Sequence, residues 1–214
     1  MADAPGAADA AQDLSYDRIA PQWDAARTGY GRLEREYLDR LCAPLASGAT
    51  VLDLGCGTGR PFAEDLLGRG WRVVGVDASA AQLAIARARC PNGVWIEARL
   101  EDYAFDTACD AAVCWDTLFH VERRHHQAIF SRLARRLPAG GRLMLTCGGS
   151  AHPPFTDEMF GRAFFYDSHP PDVTLSLLLR AGFRILRAEF LNLPPGTRDL
   201  RDKGRFAILA ERAA

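Results

Sequence analysis

Lysine is nearly missing from this 214-residue chain: Lys203 stands alone beside 25 arginines. Its scarcity removes most lysine-dependent mechanisms, including the phosphate-cradling loop that ends Gly-Lys-Ser/Thr. The six cysteines (42, 56, 90, 109, 114 and 147) form no CxxC pair and no metal-ligand rhythm. They read as small, reduced core residues, which points to a cytoplasmic protein. No apolar run is long enough to span a bilayer, so no membrane partner is expected. A formal net charge of −1 and the lack of a basic stripe argue against nucleic acid. The opening "MADAPGAADAAQD" has no basic flank and no apolar core of a signal peptide. Residues 1–14 read as a disordered tail, ahead of one globular domain over 15–214.

The rest of the chain alternates strands and helices. Ser15–Arg27 and Arg32–Leu41 read as helices, the second with Leu33, Tyr37 and Leu41 four apart. Val51–Leu54 is a buried-type strand, followed by a helix Arg60–Leu67 with Pro61 in its first turn. Strand Trp71–Val76 leads to a helix opened by a Ser79/Gln82 capping box and stopped by Pro91 and Asn92. Val94–Ala98 and Cys109–Cys114 are strands, Glu122–Leu137 a helix, and Arg142–Cys147 the next strand. Pro171–Ala181 is a helix ended by Gly182, and Phe183–Leu191 and Arg205–Glu211 close as two consecutive strands. This order predicts an α/β fold: a mostly parallel sheet, helices on both faces, one antiparallel strand at the end.

A glycine-rich turn follows the first strand in "VLDLGCGTGRP" (51–61). Such a turn lies at the carboxyl edge of the sheet, where open α/β folds bind ligands. Dinucleotide sites favour Gly-x-Gly-x-x-Gly, with pyrophosphate at the helix N-terminus. Here the spacing is Gly55-x-Gly57-x-Gly59, with Asp53 in front. A carboxylate there repels pyrophosphate but suits a cationic amino or sulfonium group. Asp77 ends the second strand, where a carboxylate can accept both hydroxyls of a ribose. S-adenosyl-L-methionine fits this set better than NAD.

These motifs resemble the class I S-adenosylmethionine-dependent methyltransferases. "VLDLGCGTGRP" looks like their first motif, "VVGVDAS" (73–79) their second, and "CDAAVCWDTLFHV" (109–121) their fourth-strand motif. "LARRLPAGGRLMLT" (133–146) is similar to the helix, turn and fifth strand that follow. The resemblance covers roughly Tyr16 to Glu211 and implies a Rossmann-like seven-stranded sheet in the order 3-2-1-4-5-7-6, strand 7 antiparallel. It implies that Asp53 and the Gly55, Cys56, Gly57 backbone hold the methionine part, and Asp77 the ribose with Ala78 beside the adenine. In "ARLEDYAF" (98–105), Arg99 stands where relatives often carry aspartate, which leaves Leu100 and Glu101 to meet the adenine. The Cys114 carbonyl would face the sulfonium. "YDRIAPQWDAAR" (16–27) resembles a lid helix whose Tyr16 and Arg27 reach the cofactor carboxylate; equally it reads as a surface helix with Trp23 packed on the core. The lid would span residues 15–47.

A sulfonium methyl is already activated, so the protein has mainly to align the acceptor and keep the pocket dry. S-adenosyl-L-homocysteine would be the product. A hydroxyl or thiol acceptor gains from a base, and His120, on the loop after the fourth strand, is the candidate. The same histidine also reads as a cap of helix 122–137. Trp115 and Asp116 would orient the substrate and exclude water. His125 and His126 point to different helix faces, so no metal is expected. Acceptor choice is assigned to the long aromatic stretch 147–171, with Phe165 and Tyr166 as substrate contacts and 148–171 as a substrate loop. No Asn/Asp-Pro-Pro-Tyr/Phe run follows the fourth strand; "CWDTL" stands there instead. The expected partner is therefore a small molecule, methylated on O, N or S by a monomer or homodimer. An NAD-linked oxidoreductase and a non-catalytic cofactor-binding protein are the alternatives.

Overall fold

The alanine-rich opening, rich in the best helix former, is helical from Ala7 in the computed structural model, which describes residues 7–191 and 204–214. Helix α1 (Ala7–Ala26) thus starts well ahead of Ser15; residues 1–6 of the expected tail lie outside the described residues. Helix α2 (Arg32–Cys42) follows, its first turn closed by Gly31 N–H donating to Glu34 Oε2 at 2.9 Å. Then come β1 (Thr50–Leu54), α3 (Phe62–Gly68), β2 (Arg72–Asp77), α4 (Ala80–Arg89), β3 (Val94–Glu97) and β4 (Ala111–Cys114). After two single 3₁₀ turns, Leu118–His120 and Arg123–His125, the chain forms α5 (His126–Ala134) and β5 (Arg142–Gly148). A hairpin of β6 (Phe155–Met159) and β7 (Arg162–Tyr166) precedes α6 (Pro171–Arg180), β8 (Phe183–Phe190) and β9 (Arg205–Arg212).

The sheet runs β3-β2-β1-β4-β5-β9-β8, and β9 lies antiparallel to both β5 and β8. With the inserted hairpin set aside, this is the expected 3-2-1-4-5-7-6 order. Alternate side chains of each strand enter opposite cores. Leu52, Leu54, Ala112 and Cys114 pack with Ile129, Phe130 and Leu133 of α5. Val51, Val113 and Trp115 pack with Tyr37 and Leu41 of α2 and Phe62 and Leu66 of α3. Each large apolar side chain buried this way contributes about 1.5–3 kcal/mol. The strand order reverses between β1 and β4, so their carboxyl ends splay around a crevice.

Three elements differ from the sequence reading. The stretch 147–171 contains a hairpin rather than an irregular loop. Its two-residue turn holds Phe160 at φ 51° and Gly161 at φ 70°, the left-handed pair that a tight hairpin demands. A phenylalanine rarely takes that backbone, so the turn carries no sequence signal. The helix expected from Glu122 to Leu137 is shorter, since its first turn is the separate 3₁₀ turn at Arg123. There Asp167, which directly follows the hairpin, accepts the Arg123 N–H at 2.7 Å and pairs with its guanidinium. At α4, Ser79 Oγ accepts the Gln82 N–H at 3.2 Å. The Gln82 side chain does not return to close the capping box; it turns toward the crevice.

Candidate active site

One pocket lies over the carboxyl ends of β1, β2 and β4, walled by α1. Its empty space is about 910 Å³ with its open mouth included. Each glycine of the turn is bare for a different reason. A Cβ on Gly55 would fall 2.0 Å from Thr117 Oγ1, whereas Gly59 takes a φ of 83° that side chains rarely adopt. At Gly57 a Cβ would meet Gln82 Oε1 at 2.7 Å, with Trp23 Nε1 at 3.5 Å. Gly55 therefore serves packing within the fold and Gly59 its backbone turn, whereas Gly57 is surrounded by polar atoms that face the pocket.

The carboxylates sit as the strands place them. Asp77 Oδ2 accepts the Gly57 N–H at 2.8 Å and Oδ1 accepts the Ser79 N–H at 2.9 Å. Asp53, 3% exposed, shares the β1 face with Val51 and lines the pocket floor. Burial raises its pKa to about 7, helped by the nearby Asp77 charge and opposed by Arg27. A cation bound beside it would restore the ionised form. Gly55, Cys56 and Ala78 line the same wall, and Leu100 and Glu101 line the opposite rim with Arg99. The Arg99 guanidinium turns to Glu101 at 2.7 Å.

At the other end, Tyr16 of α1 meets His120 across the pocket. The Tyr16 hydroxyl lies 2.9 Å from His120 Nε2, and His120 Nδ1 lies 2.9 Å from the Phe165 carbonyl oxygen. A carbonyl only accepts, so Nδ1 carries the hydrogen and Nε2 accepts from the tyrosine. Burial lowers the imidazole pKa to about 4, against the raising effect of the Phe165 contact. Burial likewise pushes the Tyr16 phenol well above its ordinary value. Both groups are therefore neutral at physiological pH. His120 does not cap α5: it closes the Leu118–His120 turn, and α5 begins at His126.

Trp115 and Asp116 line this end as well. Asp116 adopts φ 53° directly after β4, a left-handed backbone that aspartate tolerates better than most residues. Its N–H donates to Thr146 Oγ1 at 2.8 Å, and its carboxylate accepts the Thr146 hydroxyl at 3.2 Å and pairs with Arg205. Burial still raises the Asp116 pKa, over the opposing Arg205 and Arg27 charges. Glu34 joins the surrounding elements. It accepts Arg27 at 3.0 Å and the Trp115 indole N–H at 3.0 Å, besides capping α2. Burial pushes Glu34 up, but Arg27, Gly31 and Trp115 outweigh it and hold it below the ordinary carboxylate value.

Three expected site residues do not line the pocket. The Cys114 thiol points into the α5 core, where burial raises its pKa to about 12. Phe165 and Tyr166 lie behind His120: Phe165 offers its carbonyl, and the Tyr166 ring packs 4.8 Å from the imidazole. The hairpin thus orients His120 from behind. Sequence reasoning passed over Glu34, Thr117, Thr146 and Arg205, and gave Gln82 and Trp23 only structural parts. Glu34 had a legible signal, three residues after Gly31 at a helix start; the others acquire their roles only through tertiary contacts. Among the described residues, no group of three His, Cys, Asp or Glu side chains could hold a metal.

Fold and pocket together define a Rossmann-like α/β domain, with acid residues at the ends of β1 and β2 about a glycine turn. Residues 51–141, less than half of the chain, match the family model described as "Methyltransferase domain". The chain is 37% identical over 117 residues to a trans-aconitate 2-methyltransferase of Azoarcus sp. (strain BH72). That match covers 53% of this chain and 44% of the relative, so the chain spans less than half of that protein's length. An S-adenosyl-L-methionine-dependent Diels-Alderase of Neonectria sp. (strain DH2) is 29% identical over 83% of this chain and 74% of its own. Among solved structures, the N-methyltransferase NodS of Bradyrhizobium japonicum WM9, in complex with S-adenosyl-L-homocysteine, superposes with a TM-score of 0.69. It is 14% identical, over 95% of this chain and all of its own, and that likeness shows the fold alone.

Proposed function

We propose that the protein transfers a methyl group from S-adenosyl-L-methionine to the O, N or S atom of a small-molecule acceptor. The residues present fit that cofactor. Asp77 is a carboxylate lining the pocket at the end of β2, as a diol requires, Asp53 is a buried carboxyl suited to a cation, and Gly57 leaves room beside them. Arg27 lines the pocket and could meet a carboxylate, though it is paired with Glu34 here. When bound, S-adenosyl-L-methionine supplies a methyl on a positively charged sulfur, activated without help from a side chain. The spacing of the glycines and the position of Asp53 oppose a pyrophosphate, and the methyltransferase match gives the NAD alternative no support.

The observation that carries the catalytic reading is the Tyr16–His120 pair at 2.9 Å. The hydroxyl donates to Nε2 and leaves its own oxygen to accept a proton from an acceptor X–H. As X–H loses its proton to Tyr16, the phenol hydrogen passes to Nε2, and the imidazolium keeps Nδ1–H on the Phe165 carbonyl. His120 thereby serves as a base through Tyr16 rather than by direct contact. Trp115 and Asp116 wall this end, and their Glu34 and Arg205 partners hold them in place. All six cysteines are free and buried, which supports a reducing, cytoplasmic setting. No helix among the described residues is long and apolar enough to cross a membrane. A monomer or homodimer acting on a small molecule completes the reading.

The test is to supply methyl-labelled S-adenosyl-L-methionine with a panel of phenol, carboxylate, amine and thiol acceptors. Label transferred to one class, and lost in Tyr16→Phe, supports the proposal. Cofactor binding with no transfer to any class would instead leave a cofactor-binding protein without methyl transfer.

A further inference from the structure

The side-chain donors at the acceptor end are already engaged within the protein. The Tyr16 hydroxyl donates to His120, the Thr117 hydroxyl to the Trp115 carbonyl at 3.0 Å, and the Trp115 indole to Glu34. His120 Nδ1 is taken by the Phe165 carbonyl, and Arg60 turns to Glu64 at 3.0 Å. Arg27 belongs to a ring of alternating charge. It lies 3.0 Å from Glu34 and 3.9 Å from Asp116 Oδ2, and Arg205 bridges the same two acids, 3.7 Å from Glu34 and directly paired with Asp116. The remaining N–H groups of Arg27 are those assigned above to the cofactor carboxylate.

Hydrogen-bond acceptors, by contrast, stay open there. Asp116 lines the pocket, and its Oδ1 takes one hydrogen bond from Thr146 and its Oδ2 one from Arg205, so each oxygen keeps a lone pair. Thr117, the next residue, lines the pocket too and uses its hydroxyl as a donor, which leaves the oxygen able to accept. A carboxylate on the incoming molecule would be buried against these oxygens with no donor to meet it, which is costly. An ammonium brings three donors and the charge opposite to that of Asp116. Burial raises the Asp116 pKa against its arginines, and a cation beside it would hold it ionised. We propose that Asp116 anchors a protonated amino group of the acceptor, so that the substrate is a small molecule carrying an ammonium apart from the atom that reacts. This rests on the reading of the pocket as a methyl-transfer site. Thr146 and Arg205 are then positioning residues that fix the Asp116 carboxylate. The ammonium keeps its protons and takes no methyl. The reacting atom X bonds the methyl carbon as the carbon–sulfur bond breaks, and the X–H proton leaves through Tyr16 to His120.

The probes are three phenols of similar shape and different charge: tyramine, 4-ethylphenol and 3-(4-hydroxyphenyl)propionate. Each is titrated calorimetrically into the full chain saturated with S-adenosylhomocysteine, and each is offered with methyl-labelled S-adenosyl-L-methionine. The parent is expected to bind tyramine about 10- to 100-fold tighter than 4-ethylphenol, with the propionate weakest. The same order should appear in KM, with the label on the phenol oxygen. Asp116→Asn keeps the side-chain size and a residue that tolerates the left-handed backbone. It should reduce the preference for tyramine to about threefold or less. Thr146→Val, which frees the Asp116 carboxylate on one side, should reduce it partway. A merely structural role would weaken all three probes alike. Tightest binding of the propionate, equal affinities, or no binding of any probe would overturn the proposal. So would label on the tyramine nitrogen, or an unchanged preference in Asp116→Asn. A parent that binds no S-adenosylhomocysteine would overturn the cofactor reading itself, whereas one that binds it and prefers the anion would overturn only the anchoring by Asp116.

Discussion

The two ends of the pocket differ in how far the protein satisfies its own polar groups. At the acceptor end, Tyr16, His120, Asp116 and Glu34 are bound to one another or to nearby backbone and arginines. At the cofactor end, Gln82 Oε1 is unpaired, and Asp53 is a buried carboxyl with its pKa raised to about 7. Internal bonds fix geometry, which a reacting pair requires. Open valences cost stability and are recovered only when a ligand arrives. The closed end is thus built for positioning and the open end for recognition.

The largest expected effect would break the closed end. His120→Ala should lower kcat by about 10²–10⁴-fold for a hydroxyl or thiol acceptor, the span of general-base catalysis. A carboxylate or neutral amine needs no base and should lose far less, so the variant also sorts acceptor classes. The acid limb of the parent rate should lie near the lowered His120 value of about 4, rather than at the 6–7 of an ordinary imidazole. A limb at 6–7 would show that the histidine is not buried in the working enzyme.

Asp53→Asn sharpens the contrast through stability. The folded chain holds the Asp53 proton up to about pH 7, while an unfolded aspartate releases it near its ordinary value. The folded pKa is raised, so the penalty is full above pH 7 and disappears as pH falls toward that ordinary value. In urea unfolding at pH 8 the variant should therefore be more stable than the parent, by roughly 2–4 kcal/mol. The gain should shrink at pH 5. Equal stability at both pH values would mean that Asp53 has a stabilising partner after all. The variant should bind the cofactor more weakly, since stability is gained where function uses a strained group.

Asp77→Ala should cost about 1.5–3 kcal/mol of cofactor affinity, the range for hydrogen bonds to a charged group. Its loss also frees the Gly57 and Ser79 amides, so folding must be checked by melting. The smallest expected effect is none. Dialysis against a chelator should leave methyl transfer intact, and activity lost to chelator and restored by magnesium would contradict this.

Much of the fold was legible because its signals are local. The Asp53–Gly59 turn, Asp77 and two consecutive closing strands each lie within a few residues and fix the sheet order. The site was legible residue by residue but not as contacts. Tyr16 and His120 were both singled out, yet they are 104 positions apart, and only the fold brings the hydroxyl to 2.9 Å from Nε2. The Asp116–Arg205 pair joins residues 89 apart and had no sequence signal. Gln82 was misassigned because Ser-x-x-Gln describes a capping box equally well; tertiary packing turned its side chain to the pocket. The hairpin was missed because a phenylalanine occupies its left-handed turn.

The most direct test of the division between the two ends is calorimetric titration of S-adenosylhomocysteine into the parent, Asp77→Ala and His120→Ala. If recognition resides at the open end, Asp77→Ala loses about 10-fold or more in affinity, while His120→Ala stays within about threefold of the parent. If His120→Ala loses as much affinity as Asp77→Ala, or Asp77→Ala binds like the parent, the two ends are not divided in this way.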